Sequence, residues 1–226
     1  MTEILLSLLT KALPTLLAIT LHEAAHGFVA LRCGDPTAYH AGRISINPFK
    51  HIDLVGTILL PGFLLITGAP FLFGYAKPVP VDFTQLRHLR RDMILVAAAG
   101  PATNFVLAFL SALSLHALPL LPMSWHDAGQ EMAFYSILIN LSLAAFNMLP
   151  LLPLDGGRVL VGLLPPRFSS PIARLEPYGF PFLLLVMFLS PYLLGFFGIK
   201  GSLFSVLLTP IVKFLMNIIL LGTGII

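Results

Sequence analysis

The chain has a single cysteine, Cys33, which excludes an intrachain disulfide and leaves a thiolate-based metal centre with too few ligands. Charge is equally scarce: only 10% of its 226 residues are Asp, Glu, Lys or Arg, against 57% hydrophobic, and the mean hydropathy is +0.93. Soluble globular domains do not have that balance; an integral membrane protein does. Long polar stretches are missing too, so no independent soluble domain is expected and residues 1–226 read as one polytopic membrane domain. The net charge of +3 falls mainly between apolar runs, which fits membrane topology and anionic headgroups, and no nucleic acid partner is expected. The N-terminus lacks a basic region and its apolar run continues to Leu31, so it reads as a retained helix. Repeats and coiled-coil heptads are absent, and with them any sequence feature that would set an oligomeric state.

What the chain does have is a series of apolar runs. Core helices are expected at about 4–31, 93–118 and 132–154, with two further helices at about 180–197 and 203–221. Leu54 to Ala76 is also apolar, but Pro61, Gly62, Gly68, Pro70 and Gly74 interrupt it. Arg43 and Lys50 precede it, and Lys77, Arg87, Arg90 and Arg91 follow, so both flanks belong on the cytosolic side and 54–81 reads as re-entrant. A true span over the same residues is the alternative. Arg43 to Asn47 alternates like a short strand. The expected fold is therefore an all-α integral membrane helix bundle of about five to six membrane segments, with a small membrane-associated β hairpin or re-entrant element. The linker from Pro119 to Glu131, without Lys or Arg, reads as outside; Gly156 to Pro177, with three arginines, reads as cytosolic.

Inside the first run lies H-E-x-x-H, as His22, Glu23 and His26. Residues four apart on a helix differ by about 40° in direction, so both imidazoles leave one face with a carboxylate beside them, the pattern of a zinc site with an adjacent base. Two histidines need a third protein ligand, and the candidate is Asp155, an acid at the edge of an apolar span. Pro150, Pro153, Gly156 and Gly157 would break the helix and let the backbone turn there. Asn147 lies eight residues earlier on the same expected helix, a little over two turns away and near the same face. Its amide suits an oxyanion or an interhelical hydrogen bond equally well. Asn140 reads as an interhelical bridge, Asn104 is ambiguous, and Gly100, Ala102 and Ala108 would let helices approach closely. His116 and His126 read as solvated, and His40, His51 and His88 as weaker ligand candidates.

Three motifs, HEAAH at 22–26, GPATN at 100–104 and FNMLPLLPLDGGR at 146–158, together resemble the site-2 protease family of intramembrane zinc metalloproteases. The resemblance covers roughly residues 12–160. It implies one Zn2+ held by His22, His26 and Asp155, with Glu23 as general base and Asn147 in the place of the family's substrate-stabilising asparagine. It also implies a membrane-associated β element between the first two core helices, substrates that are transmembrane proteins, and a prokaryotic plasma-membrane location with the site open toward the cytoplasm. The chain departs from the family pattern in a longer, more apolar insert and in lacking a PDZ or CBS domain. The expected activity is hydrolysis of peptide bonds in or near transmembrane segments. A catalytically silent zinc-binding scaffold is the alternative, against which the intact Glu23 speaks. A metal transporter is a third, for which no second ligand set or inverted repeat is found.

Overall fold

The structure, a computed structural model, describes residues 2–68, 74–199 and 201–226. Helix α1 (Thr2–Cys33) is 32 residues long and continues through Pro14. Among its described side chains Thr10, Pro14, Ala18, His22, His26 and Ala30 form a buried stripe of small and polar residues at a spacing of four, with Thr20 and Gly27 also buried, while Leu9, Leu13, Leu16 and Leu17 are exposed. This inverts the soluble pattern: large apolar side chains face outward, and small residues let helices approach.

Four short elements follow: α2 (Thr37–His40), a 3-10 turn at Pro48–His51, a π-helical stretch at Leu54–Leu59, and α3 (Leu60–Ile66) continuing from it. Helix α4 (Leu89–Ser114) starts four residues before the expected run, and α5 (His126–Asn147) starts six before. Both pack against α1. Their facing surfaces bury Ala97, Gly100, Asn104, Ala108 and Ala112 on α4, and Ala133, Asn140, Ala144 and Ala145 on α5. Helix α6 (Asp155–Leu163), α7 (Pro166–Ala173), α8 (Glu176–Phe196) and α9 (Leu203–Gly222) complete the chain. Ion pairs join Lys11 to Glu131 at 3.4 Å and Arg158 to Glu176 at 2.8 Å.

Two of the fold expectations are not confirmed and one is corrected. First, among the described residues three helical stretches are both long and apolar enough to cross a membrane, Leu89–Leu120, Glu176–Phe196 and Leu203–Gly222, so the expected count of five to six membrane segments is not confirmed. Helix α5 is long enough, but Gln130, Glu131, Asn140 and Asn147 dilute its apolar run. Second, no strand occurs among the described residues, so the β hairpin and the strand at Arg43–Asn47 are not found; residues 69–73, part of the expected hairpin, lie outside the description. The helical part of the insert, thirteen residues over 54–66, rises about 20 Å, short of a bilayer core of about 30 Å. Its two ends meet, because the Tyr75 amide donates to the Gly56 carbonyl at 3.0 Å and Thr57 Oγ1 donates to the Tyr75 carbonyl at 3.0 Å. Third, the helix expected to reach 154 stops at Asn147, and Met148–Leu154 is irregular, as Pro150 and Pro153 require.

Candidate metal centre

One turn of α1 presents His22 and His26, both buried, with ring centroids 4.7 Å apart and planes at 82°. Opposite them, α4 passes at Gly100, where a Cβ would lie 2.5 Å from His22 Cε1 and 2.6 Å from His22 Nε2 and would also collide with His26 Nε2. The histidines therefore occupy space that only glycine leaves free. The third component arrives from a separate helix, since Asp155 is the first residue of α6 and is buried.

What holds Asp155 in place is close packing of glycine against backbone. A Cβ at Gly156 would collide with the Met148 carbonyl, and one at Gly157 would lie 2.5 Å from Leu152 N. Gly156 and Gly157 are thus helical residues that let α6 press on the preceding loop, rather than the sharp turn expected after the carboxylate. At the far end of α6, the Arg90 guanidinium donates to the carbonyls of Gly162 at 3.2 Å, Leu163 at 3.2 Å and Leu164, satisfying a helix terminus and tying it to α4.

The donor atoms converge. His22 Nε2 and His26 Nε2 are 3.1 Å apart, and Asp155 Oδ2 lies 3.3 Å from the first and 3.4 Å from the second. Their protonation follows from the hydrogen bonds on the other ring nitrogens. His26 Nδ1 donates to the Val96 carbonyl at 2.7 Å. His22 Nδ1 faces Asn104 Oδ1 at 2.5 Å, and Asn104 Nδ2 donates to Asn140 Oδ1 at 2.8 Å and the Ala18 carbonyl at 3.2 Å, so its oxygen is the atom left for His22. Both Nδ1 atoms carry hydrogen, so both Nε2 atoms turn lone pairs toward Asp155 Oδ2, a buried carboxylate oxygen that accepts no hydrogen bond. Two lone pairs and an anionic oxygen repel unless a cation lies between them. A tetrahedral zinc with ligands at about 2.0–2.1 Å sets donor atoms about 3.3 Å apart, so the residues present fit this ion. Among the described residues this is the one group of three that could hold a metal.

Glu23, half-buried, leaves α1 about 100° round from His22. Its Oε2 accepts the backbone N–H of Val79 at 2.8 Å. Val79 belongs to an extended segment, 74–82, laid along α1. A Cβ at Gly27, one turn beyond Glu23, would lie 3.0 Å from Val79 Cγ1. The segment is fastened at both ends: Lys77 N donates to the His51 carbonyl at 2.9 Å, and Asp82 N donates to Asp35 Oδ2 at 2.8 Å. Side-chain hydrogen bonds from Thr84 and Gln85 hold the Asp82 carboxyl below its usual range.

Asn147 is the expected site residue that the structure leaves without a contact to the cluster. It ends α5, and its Nδ2 donates to the Leu143 carbonyl of its own helix at 3.0 Å. Asn147 and Asp155 do not share a helix, so the eight-residue spacing carries no argument. Asn140 is the interhelical bridge expected of it; Asn104, ambiguous in sequence, is the residue in contact with His22. Of the remaining histidines, His51 bonds the Ser45 carbonyl, His116 the Thr223 carbonyl and His126 the Leu121 carbonyl. His116 and His126 are therefore anchored rather than simply solvated. The sequence signals that could have exposed the supporting shell are Gly100 and Asn104, four apart in GPATN and hence on one face of α4.

Comparison with known proteins finds relatives named as zinc metalloproteases. Residues 123–189 match the family described as Peptidase family M50. YwhC of Bacillus subtilis, which carries the name zinc metalloprotease, is 40% identical over 192 residues, covering 82% of this chain and 83% of YwhC. Rip2 of Mycobacterium tuberculosis, with the same designation, is 33% identical over 193 residues, covering 84% of this chain and 71% of Rip2. Rip2 of Mycolicibacterium smegmatis is 29% identical over 183 residues, or 79% and 66% of the two chains. No solved structure matches the chain.

Proposed function

Because the chain belongs to peptidase family M50, the site-2 protease family of zinc metalloproteases, we propose that it is a zinc-dependent intramembrane endopeptidase that cuts transmembrane proteins in or near their membrane segments. The observation that carries this reading is the convergence of His22 Nε2, His26 Nε2 and Asp155 Oδ2 at 3.1–3.4 Å, one residue from a carboxylate on the same helix. His22, His26 and Asp155 would hold the zinc. The ion, when bound, supplies Lewis acidity and lowers the pKa of a water toward 7.

The chain's own groups then divide the proton and charge work. Glu23 takes the proton of the attacking water and returns it to the leaving amine. The Val79 N–H fixes one carboxylate oxygen, leaving the other for the proton. Asn147 is the proposed donor to the developing oxyanion. This role requires its amide to exchange the Leu143 carbonyl for substrate. Water and peptide reach the centre from the cytoplasmic side of a prokaryotic plasma membrane. The basic segments 43–50, 77–91 and 158–174 support that orientation.

The test is incubation of purified, zinc-loaded protein with transmembrane-helix substrates in liposomes. Wild type is expected to cleave them, and Glu23→Gln to bind zinc normally while losing at least 100-fold in rate, the lower bound of the usual general-base contribution. Undiminished cleavage by Glu23→Gln, or after complete removal of zinc, overturns the mechanism.

A further inference from the structure

Helix α9 packs one face into the bundle. Val212, Ile219 and Leu220 are buried against residues of α4 and α5 such as Ala108, Ile137 and Leu141, with Leu208, Leu215 and Met216 beside them. Rotated about 100° from Val212 is Lys213, exposed, with Thr209 four residues before it and Asn217 four residues after, both also exposed. These three make a polar stripe along a helix otherwise apolar enough to cross a membrane.

Lys213 is the eleventh of the twenty residues of α9, about 13–15 Å of helix rise from either end. That distance exceeds the reach of a lysine stem, so the ammonium cannot simply lie among headgroups. Among the described residues Lys213 has no ion pair or hydrogen bond, and no acidic residue follows Glu176 in the chain. Beside it lies an open groove of about 420 Å³, lined by Ser205, Val206, Thr209, Pro210 and Lys213. Pro210 has no N–H, so the Val206 carbonyl in this groove lacks its helical donor. Lys213 thus faces outward at mid-span, and the same groove continues about two turns toward the N-terminus past Thr209, whose hydroxyl donates to the Ser205 carbonyl, to the Val206 carbonyl.

We propose that this face of α9 docks a transmembrane helix of another membrane protein, one carrying a single Asp or Glu near the bilayer middle. Charge selects that occupant. An ionised side chain within a membrane segment normally has a partner of opposite sign, and among the described residues none pairs with Lys213. A second copy does not fit: two copies inserted in the same direction and related by a twofold axis along the membrane normal would bring Lys213 beside Lys213. Thr209 and Ser205, small and polar, allow the partner's backbone to come close. The inference rests on α9 alone and stands apart from the protease reading.

The experiment uses purified full-length, zinc-loaded protein in phosphatidylcholine liposomes with two synthetic probes: a leucine-alanine transmembrane helix with one central Glu, and the same helix with Leu there. Energy transfer between labelled protein and labelled probe reports association. The Glu probe is expected to associate at least tenfold more tightly than the Leu probe, and Lys213→Leu to remove that difference while zinc content and melting temperature stay at wild-type values. Lys213→Glu is expected to shift the preference to a probe with a central Lys. Equal association of the two probes with wild type, or a preference that survives Lys213→Leu, overturns the proposal. Self-association of the full chain that Lys213→Leu abolishes overturns it in favour of a second copy.

Discussion

Replacing Asn104 by Ala removes a side chain with no exposed surface that makes three contacts, at 2.5 Å with His22 Nδ1, 2.8 Å with Asn140 Oδ1 and 3.2 Å with the Ala18 carbonyl. The Ala18 carbonyl keeps its helical partner, so two buried groups lose theirs: His22 Nδ1–H and Asn140 Oδ1. Each such orphan costs about 1–3 kcal/mol of stability. The effect on metal binding is separate. Without an acceptor at Nδ1, the His22 ring is free to turn and to carry its proton on Nε2, where it offers zinc no lone pair. Outer-shell partners of metal-bound histidines are worth 10–100-fold in affinity, about 1.4–2.7 kcal/mol, and Asn104→Ala is expected to lose that much in chelator competition. Asn140→Ala should lose less, because the Ala18 carbonyl still orients the Asn104 amide, and in the Asn104→Ala background it should change zinc affinity no further. The absorption spectrum of the cobalt-substituted protein should change with Asn104→Ala, since a ligand changes its geometry. An unchanged spectrum and affinity, with only a lower melting temperature, would show that Asn104 merely fills the bundle and would refute the orienting role.

Three further outcomes are expected from the same geometry. Gly100→Ala places a methyl 2.5–2.6 Å from His22 ring atoms; overpacking of this kind costs about 1–3 kcal/mol and should lower zinc affinity, whereas Gly195→Ala, with nothing within 4 Å of its added Cβ, should leave both zinc affinity and melting temperature near wild type or above. Titrating out zinc should lower the melting temperature, by the equivalent of about 4 kcal/mol when the starting free zinc is 1,000 times the dissociation constant. Asp155→Asn, whose amide can donate to an imidazole lone pair, should melt higher than wild type when both are metal-free and lose the zinc dependence, as differential scanning fluorimetry would report.

How much of this was legible in the sequence depends on the kind of contact. His22 and His26 could be paired because both lie on one helix, where spacing alone fixes direction. Asp155 could be nominated because an acid beside an apolar run needs a partner. Helix ends were harder: apolar runs report the thickness of hydrocarbon to be crossed, while α4 and α5 continue into polar sequence at their N-termini. The run Met148–Leu154 is nearly all apolar and so reads as helix, but Pro150 and Pro153 leave it irregular. The glycines after Asp155 were visible as glycines, but their use is close packing on the 148–152 backbone, a tertiary contact that no local pattern encodes. The direction of the Asn104 amide is likewise set by groups 36 and 86 residues away.

Helix α1 is held from two sides, and this links the candidate metal centre to Glu23, the proposed base. One side carries His22 and His26 against α4, where Gly100 leaves no slack. Another carries Glu23 and Gly27 against Val79, where the segment is fastened through Lys77 and Asp82. Rotating α1 to relieve one contact would strain the other. A metal that joins His22 and His26 to Asp155 therefore fixes more than three ligands: it sets the rotation of α1, and with it the place of the Glu23 carboxylate beside the Val79 amide. Positioning of the proposed base, Glu23, and assembly of the proposed ligand set are thus one packing problem, solved by the close approaches at Gly27, Gly100 and Gly156.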